Sequence, residues 1–148
     1  MIFQGPLRKQ KQKKISSKIY NEIVLGADQV LDFGGNIFNK PETMELAMNL
    51  MQRLNGKEHS LFSSICLSKN GSTIWMHTEQ VVLKMKQFSD NFIKDYLQKV
   101  GLETIKKYGV YQIEGAGKDL FEEIKGDEYS VMGMPIKQLI DYYKSNEK

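Results

Sequence analysis

The chain has 148 residues, of which 41% are hydrophobic and 26% are charged. This length and composition are typical of one globular domain with a buried core. No apolar run is long enough to span a membrane, and the N-terminus lacks the apolar stretch and cleavage site of a secretory signal. A single cysteine, Cys66, excludes an internal disulfide and fits a reducing compartment, so we expect a cytoplasmic protein with no membrane partner.

The net charge of +3 comes from a basic N-terminal segment. Residues 7–18 hold six of the 21 basic side chains and no acid, so the other 15 face 18 acidic ones in the rest of the chain. Such a cluster can bind nucleic acid, but it has no interleaved aromatic side chains for base stacking, which favours a solvated helix or tail. Residues 3–6, FQGP, also resemble a protease-tag junction. We therefore treat residues 1–18 as a separate segment, helical or partly tag-derived, and residues 19–148 as one domain.

The first predicted elements are a strand, a turn and a second strand over residues 22–38. The run EIVLGADQVLDF is rich in β-branched and aliphatic residues, and GGN breaks it before Ile37 and Phe38. A helix is then predicted to open at Pro41 and to end at Gly56. Its apolar positions at helical spacing are Met44, Ala47, Met48, Met51 and Leu54.

A long hairpin is predicted in the middle of the chain. Asn70-Gly71 lies between two β-rich runs, and both central residues of a type I′ turn need the positive φ that Asn and Gly tolerate. After the hairpin, Ser89 is placed to cap a helix that ends at Gly101.

The C-terminal third is predicted to contain a short helical piece, a strand and a last helix. The helical piece lies around Leu120, Phe121 and Ile124, and the strand lies near EYSVMGM, residues 128–134. Pro135 then begins the last helix. Alternating strands and helices with two hairpins predict an α/β fold, with a mixed twisted sheet flanked by helices.

Asp28 interrupts a strand that otherwise reads as buried. It shares one side of the strand with Val24, Gly26 and Val30, and burying an unpaired carboxylate there costs several kcal/mol. A divalent cation, a lysine such as Lys40, or a structural hydrogen bond can offset that cost. A strand-end aspartate that accepts from backbone N–H groups is the alternative without a catalytic role.

The other candidate motifs carry less chemistry. GAGK is not a phosphate loop, because Asp119 follows the lysine where Ser or Thr is needed. His59 and His77 lie far apart without other ligands at suitable spacing, so zinc is not expected, and His59 is interpreted as a surface or hydrogen-bonding residue. No arrangement typical of a nucleophilic triad is visible.

Several segments, in this order, resemble the Maf family of nucleoside triphosphate pyrophosphatases. They are GADQVL at 26–31, Lys40-Pro41, NGKEHSLFSS at 55–64, FSDNFIKDYL at 88–97, and YQIEGAGKDLFEEIKGDEYSVMGMPIKQLI at 111–140. The first and last blocks are the most specific. The resemblance covers Asn21 to Ile140 and implies a mixed α/β fold with a deep cleft.

The resemblance also implies a reaction and its residues. The expected reaction is hydrolysis of a nucleoside triphosphate to the monophosphate and pyrophosphate, with Mg²⁺ or Mn²⁺ as cofactor and with metal ligands that are not predicted. Asp28 corresponds to the catalytic carboxylate, and Lys40 is expected to neutralise phosphate charge. Gln29 and Glu114 resemble the subgroup that acts on 7-methyl-GTP, where the dTTP/UTP subgroup has Thr and Gln, although a broader nucleotide preference stays open.

One departure from the family pattern leaves a second function open. Maf proteins begin with a strand and an SPRR-like loop that holds the phosphates, and the start of this chain offers lysines without such a loop. We therefore expect an N-terminally truncated domain, with a catalytically impaired nucleotide-binding or interaction module as the alternative. A sheet edge or apolar face left exposed in this way favours a homodimer.

Overall fold

The structure is a computed structural model that describes residues 2–3, 14–18, 20–113, 115–131 and 135–146. Its strands are β1 (Ile2–Phe3), β2 (Val24–Phe33), β3 (Asn36–Phe38), β4 (Glu58–Lys69), β5 (Ser72–Met85) and β6 (Phe121–Lys125). They form one sheet in the order β1-β2-β4-β5-β6, with β3 also paired to β2. β1 runs parallel to β2, whereas β3 and β6 pair antiparallel with β2 and β5. The sheet is therefore mixed, and the predicted α/β class is confirmed.

Helices connect and flank these strands. They are α1 (residues 14–18), α2 (Met44–Leu54), α3 (Asp90–Val100), α4 (Leu102–Tyr108), α5 (Glu128–Val131) and α6 (Ile136–Asn146), with a 3₁₀ helix at Ala116–Leu120. In the described part of the chain, none of them combines the length and the apolar character that crossing a bilayer requires.

The chain divides into two compact units, each with its own core. The first unit comprises Met1–Val30, Leu61–Val81 and Gly126–Lys148, and the second comprises Leu31–Ser60 and Val82–Lys125. Buried side chains of the first unit include Val24, Ala27, Leu61, Ile65, Leu67 and Val81. Those of the second include Leu50, Met51, Leu54, Leu83, Met85, Ile93, Leu97 and Ile105. In the second unit, α2 and α3 contact each other, and Leu50, Met51, Leu54, Ile93 and Leu97 are their contribution to this core.

Both predicted hairpin turns are confirmed, and in each the sequence supplies residues that accept positive φ. Gly34 and Gly35 have φ of 62° and 84°, and the Asp32 carboxylate accepts the Gly35 N–H at 3.0 Å. Asn70 and Gly71 have φ of 50° and 83°, as a type I′ turn requires. The second turn joins β4 to β5, which fixes how these two long strands align.

Helix α2 begins later than predicted. It starts at Met44 rather than at Pro41, because the Thr43 hydroxyl accepts the Leu46 N–H at 3.1 Å and so acts as the N-cap. The end near Gly56, which has a φ of 67°, agrees with the prediction.

Leu120 lies in a helical segment as predicted, but the predictions for residues 121–125 and 128–131 are wrong. Residues 121–125, predicted as helical, form strand β6, and the 3₁₀ helix ends just before it. Residues 128–131, predicted as part of a strand, form α5, because Asp127 accepts the backbone N–H groups of Tyr129 and Ser130 and so starts a helical turn. Residues 132–134 lie outside the described part of the chain.

A β-bulge explains why β6 resembles a helix in sequence. Phe121 and Ile124 are three residues apart, a spacing typical of one helix face, yet they pair with Met85 and Leu83, which are two apart on β5. The extra residue between them, Glu122, lies opposite no residue of β5 in this strand pair, whose register shifts between Lys84 and Met85. The bulge thus keeps both apolar side chains opposite buried residues of β5.

Replacing the N-cap of α3 is expected to destabilise the protein. The Ser89 hydroxyl accepts the Phe92 N–H at 3.1 Å, as predicted, so Ser89→Ala leaves that donor without its cap and lowers the free energy of unfolding by about 1 kcal/mol. Urea denaturation measures this change, with Ser145→Ala, an exposed serine inside α6, as the control. Equal midpoints for the two variants would contradict the capping role.

Candidate active site

Asp28 lies on β2 in the first unit, on the strand where the sequence places it. Val24 and Gly26, on its side of the strand, are buried, as is the preceding Ala27, whereas Asp28 itself is half-buried. Its carboxylate is thus partly withdrawn from water but still reachable by a ligand. Charge interactions in such a position are less screened than in bulk water.

Gln29, the next residue on β2, is exposed but hydrogen-bonded to buried partners. Its side-chain nitrogen Nε2 lies 3.2 Å from the Ser63 hydroxyl and 3.5 Å from the Ser130 carbonyl oxygen. Ser63 on β4 and Ser130 in α5 are both fully buried. The side chain of an exposed residue is thus hydrogen-bonded to two fully buried residues, and all three belong to the first unit.

Lys40 belongs to the second unit, where it follows β3 and is exposed. Its ammonium group donates to the carbonyl oxygen of Lys107 at 3.0 Å. That carbonyl is in the last turn of α4, where helix carbonyls lack partners within the helix and carry partial negative charge. A phosphate that binds Lys40 must share or replace this hydrogen bond.

Glu114 lies outside the described residues, but its neighbours form a tight backbone turn. The Gln112 carbonyl accepts the N–H groups of Gly115 and Gly117, both at 3.1 Å. A Cβ atom at Gly117 would lie 2.5 Å from that same carbonyl oxygen. The turn therefore needs glycine at this position for steric reasons.

An open cavity of about 200 Å³ lies beside this turn in the second unit. Its walls are formed by Tyr96, Val100, Thr104, Gly109, Tyr111, Gln112 and Gly117. Pockets for drug-sized ligands are larger, about 300–1,000 Å³. By volume, the cavity has room for a ring-sized group rather than for a whole nucleotide.

A buried histidine and a half-buried tyrosine form a pair in the second unit. His59 is 3% exposed, and its Nε2 lies 2.6 Å from the Tyr111 hydroxyl, while the ring of Phe121 packs against both. Burial lowers the pKa of His59 to about 4 and raises the pKa of Tyr111, so both groups are neutral near pH 7. The interpretation of His59 as a hydrogen-bonding residue is confirmed, and its placement at the surface is wrong.

The ranges that the structure describes contain no preformed metal site of His, Cys, Asp or Glu side chains. Within them, no group of three or more His, Cys, Asp or Glu side chains is placed to hold an ion. His77 is paired instead with Glu79, whose carboxylate accepts from the His77 ring and from the Gln138 amide at 2.8 and 2.9 Å.

In each unit, some of the contacting residues described above could not be found from the sequence. Ser63 and Ser130 have no local motif, and they reach Gln29 across 34 and 101 residues of chain. Tyr111 meets His59 across 52 residues. Asp127 is a local signal that could have indicated the helical turn at residues 128–131, because an aspartate before a short polar run favours a helix start.

Comparison with known proteins agrees with the resemblance seen in the sequence. The family profile described as Maf-like protein matches residues 6–145. The chain is 45% identical over 143 residues to a nucleoside triphosphate pyrophosphatase of Pelagibacter ubique, covering 97% of this chain and 73% of that relative. It is 40% identical over 130 residues to a 7-methyl-GTP pyrophosphatase of Bartonella quintana, covering 88% of this chain and 66% of the relative. For a 7-methyl-GTP pyrophosphatase of Brucella abortus the identity is 37% over 126 residues, covering 85% and 63%.

Acid is expected to destabilise the protein through His59. The pKa of His59 is about 4 in the folded chain and 6.5 for the free side chain, so between these values the unfolded chain binds more protons. The free energy of unfolding therefore falls as the pH drops through this window, by up to about 3 kcal/mol in total. Urea denaturation between about pH 7 and pH 4 measures the slope, and His59→Gln should remove this part of it.

Tyr111→Phe is the matched control for this measurement. It removes the hydrogen bond to His59 but leaves the imidazole buried, and burial is the cause of the lowered pKa. This variant should therefore keep the pH dependence of the wild type. The same slope for wild type and His59→Gln would show that His59 is not the responsible group.

Proposed function

Because this chain belongs to the Maf-like protein family, we propose that it hydrolyses a nucleoside triphosphate to the monophosphate and pyrophosphate. The observation that carries the proposal is the half-buried Asp28 on β2, inside the motif by which the chain resembles this family. The relatives above are named as pyrophosphatases, which favours turnover over a module that only binds nucleotides. The chain spans 73%, 66% and 63% of their lengths, and the activity is proposed for the chain on that basis.

In the proposed reaction Asp28 acts as the general base. A water oxygen forms a bond to the α-phosphorus, and the bond from this phosphorus to the oxygen that bridges the α- and β-phosphates breaks. Pyrophosphate leaves with the electron pair of that bond. The water proton passes to the Asp28 carboxylate. General-base help of this kind is typically worth about 10²- to 10⁴-fold in rate.

Charge neutralisation supplies the other part of catalysis. The Lys40 ammonium, held at the Lys107 carbonyl, can exchange that partner for a phosphate oxygen, because an ammonium group has three rotatable donors. Mg²⁺, with Mn²⁺ as the alternative, is the proposed cofactor. Mg²⁺ usually takes one or two carboxylates, substrate phosphates and several waters, so Asp28 together with a triphosphate fits it without a protein cage. When bound, the ion neutralises phosphate charge.

The proposed substrate class is a guanine nucleotide of the 7-methyl-GTP type. Two of the relatives carry 7-methyl-GTP in their names, and Gln29 and Glu114 match the subgroup pattern. A carboxylate at position 114 can accept N–H groups of a guanine edge and is attracted to a cationic methylated ring. The ring-sized cavity beside the turn of residues 112–117 supports base recognition in this region. A cytoplasmic location and a homodimer belong to the same proposal.

Removal of the Asp28 charge tests the catalytic role. Asp28→Asn keeps the shape of the side chain but cannot take a proton, so kcat for pyrophosphate release should fall about 10²- to 10⁴-fold. The assay measures pyrophosphate released from a nucleotide panel with Mg²⁺. Asp32→Asn on the same strand is the control, because its amide oxygen can still accept the Gly35 N–H. Equal rates for Asp28→Asn and wild type exclude Asp28 as the base, and absence of release by the wild type contradicts the function.

Exchange of the two subgroup residues tests the substrate class. Gln29→Thr combined with Glu114→Gln should lower the ratio of kcat/KM for 7-methyl-GTP over UTP by about tenfold or more, since a hydrogen bond to a charged group is lost with the carboxylate. Pyrophosphate release from both nucleotides gives the ratio. Lys118→Gln, an exposed change close to the same turn, is the control and should leave it unaltered. An unchanged ratio in the double variant contradicts base selection by this pair.

A further inference from the structure

The Gln29 side chain is attached to two serines that water cannot reach. Ser63 and Ser130 are both 0% exposed, and Gln29 Nε2 lies 3.2 Å from the hydroxyl of the first and 3.5 Å from the carbonyl oxygen of the second. The Ser63 hydroxyl in turn donates to the Ser130 carbonyl at 2.5 Å. Three groups from β2, β4 and α5 therefore meet at one place in the first unit.

The donors and acceptors of this cluster can pair in only one way. The Ser130 carbonyl can only accept, so the Ser63 hydroxyl donates its proton to it. The Ser63 oxygen can then act only as an acceptor toward Gln29. The Gln29 atom that faces both oxygens must then be the nitrogen, which can only donate. The two possible orientations of the amide are thereby reduced to one.

Asp127 holds the other end of this cluster in place. Its carboxylate accepts the N–H groups of Tyr129 and Ser130 at 2.8 and 3.3 Å, and the Ser130 hydroxyl at 2.5 Å. The hydrogen bond from the Ser130 hydroxyl lowers the pKa of Asp127, so the carboxylate stays ionised and accepting at neutral pH. The short helix α5 thus presents the Ser130 carbonyl at a fixed place.

We propose that Ser63 and Ser130 are positioning residues that hold the Gln29 amide in one orientation and so set which nucleotides this site prefers. The inference rests on the proposed function and adds to it two residues that the family resemblance does not assign. Rotating the amide by half a turn exchanges its donor and its acceptor, and therefore changes which edge of a base it can recognise. A fixed amide discriminates between nucleotides, whereas one that rotates adapts to either.

Ser63→Ala is the direct test, because it removes one hydroxyl and leaves the backbone intact. The ratio of kcat/KM for 7-methyl-GTP over UTP should fall about fivefold to tenfold, the equivalent of one hydrogen bond. The change should appear in KM, with kcat nearly unchanged, because the amide binds substrate and transition state alike. Ser63→Thr keeps the hydroxyl and should recover most of the ratio.

Ser68→Ala is the matched control on the same strand. Ser68 is also 0% exposed, but its hydroxyl has no hydrogen-bond partner among the residues that the structure describes. Both variants lose a buried serine hydroxyl, and only Ser63→Ala loses the contact to Gln29. Ser68→Ala should therefore keep the wild-type selectivity, so a loss of selectivity in both variants overturns the proposal.

A second pair of measurements shows whether Ser63 acts through Gln29. In a Gln29→Ala background, Ser63→Ala should cause no further loss of selectivity, because the two residues belong to one unit. The side-chain amide signals of Gln29, identified in ¹⁵N spectra by their absence from Gln29→Ala, should shift in Ser63→Ala and not in Ser68→Ala. Additive losses, or unmoved amide signals, overturn the positioning role.

Failure of this inference can be told apart from failure of the proposed function. Wild-type protein that turns over no nucleotide overturns both. Wild-type turnover together with unchanged selectivity in Ser63→Ala overturns the positioning role and leaves the pyrophosphatase assignment standing.

Discussion

The register of β4 is the constraint on which the polar groups of the candidate site depend. Odd-numbered positions of this strand from His59 to Leu67 are buried, and among them stand two polar side chains, His59 and Ser63. The Asn70-Gly71 turn ties this register to β5. Because successive side chains alternate between faces, a slip of one residue would turn both polar groups away from their partners. The turn dipeptide therefore connects two strands and also fixes the register on which the contacts of His59 and Ser63 depend.

Much of the fold was predictable because its signals are local. Both hairpin turns and the Ser89 cap depend on side chains within a few residues of the element they begin or end. Several elements were not predicted, and for three of them the reason is physical: β6 contains a bulge at Glu122 that imitates helical spacing, β1 has only two residues, and α4 starts without a side-chain cap. Gly101 ends α3 and also precedes α4. The glycine that predicted the end of α3 therefore gave no sign that a second helix begins directly after it.

The candidate site likewise contains residues that local sequence signals indicate and residues that no local signal indicates. Asp28, Gln29 and Lys40 could be proposed as site residues because they stand in or beside short motifs, and Asp28 is also unusual in an apolar strand. Their supporting groups could not, since a serine in a strand such as Ser63 or an internal carbonyl such as that of Ser130 leaves no pattern in one sequence. Such partners come together only when β2, β4 and α5 do, so their identification needs the three-dimensional structure.

Energetics explain why Gln29 needs buried support and Lys40 does not. Ordering a glutamine side chain costs up to about 2 kcal/mol of conformational entropy, and one hydrogen bond returns a net of about 0.5–1.5 kcal/mol. Two bonds to Ser63 and Ser130 therefore just balance the cost of a fixed amide, and one bond does not. Without them a ligand must supply that ordering, which weakens binding. In the proposed reaction Lys40 acts on phosphate as a point charge, an interaction with little directional preference, so the single bond to Lys107 is enough for that role.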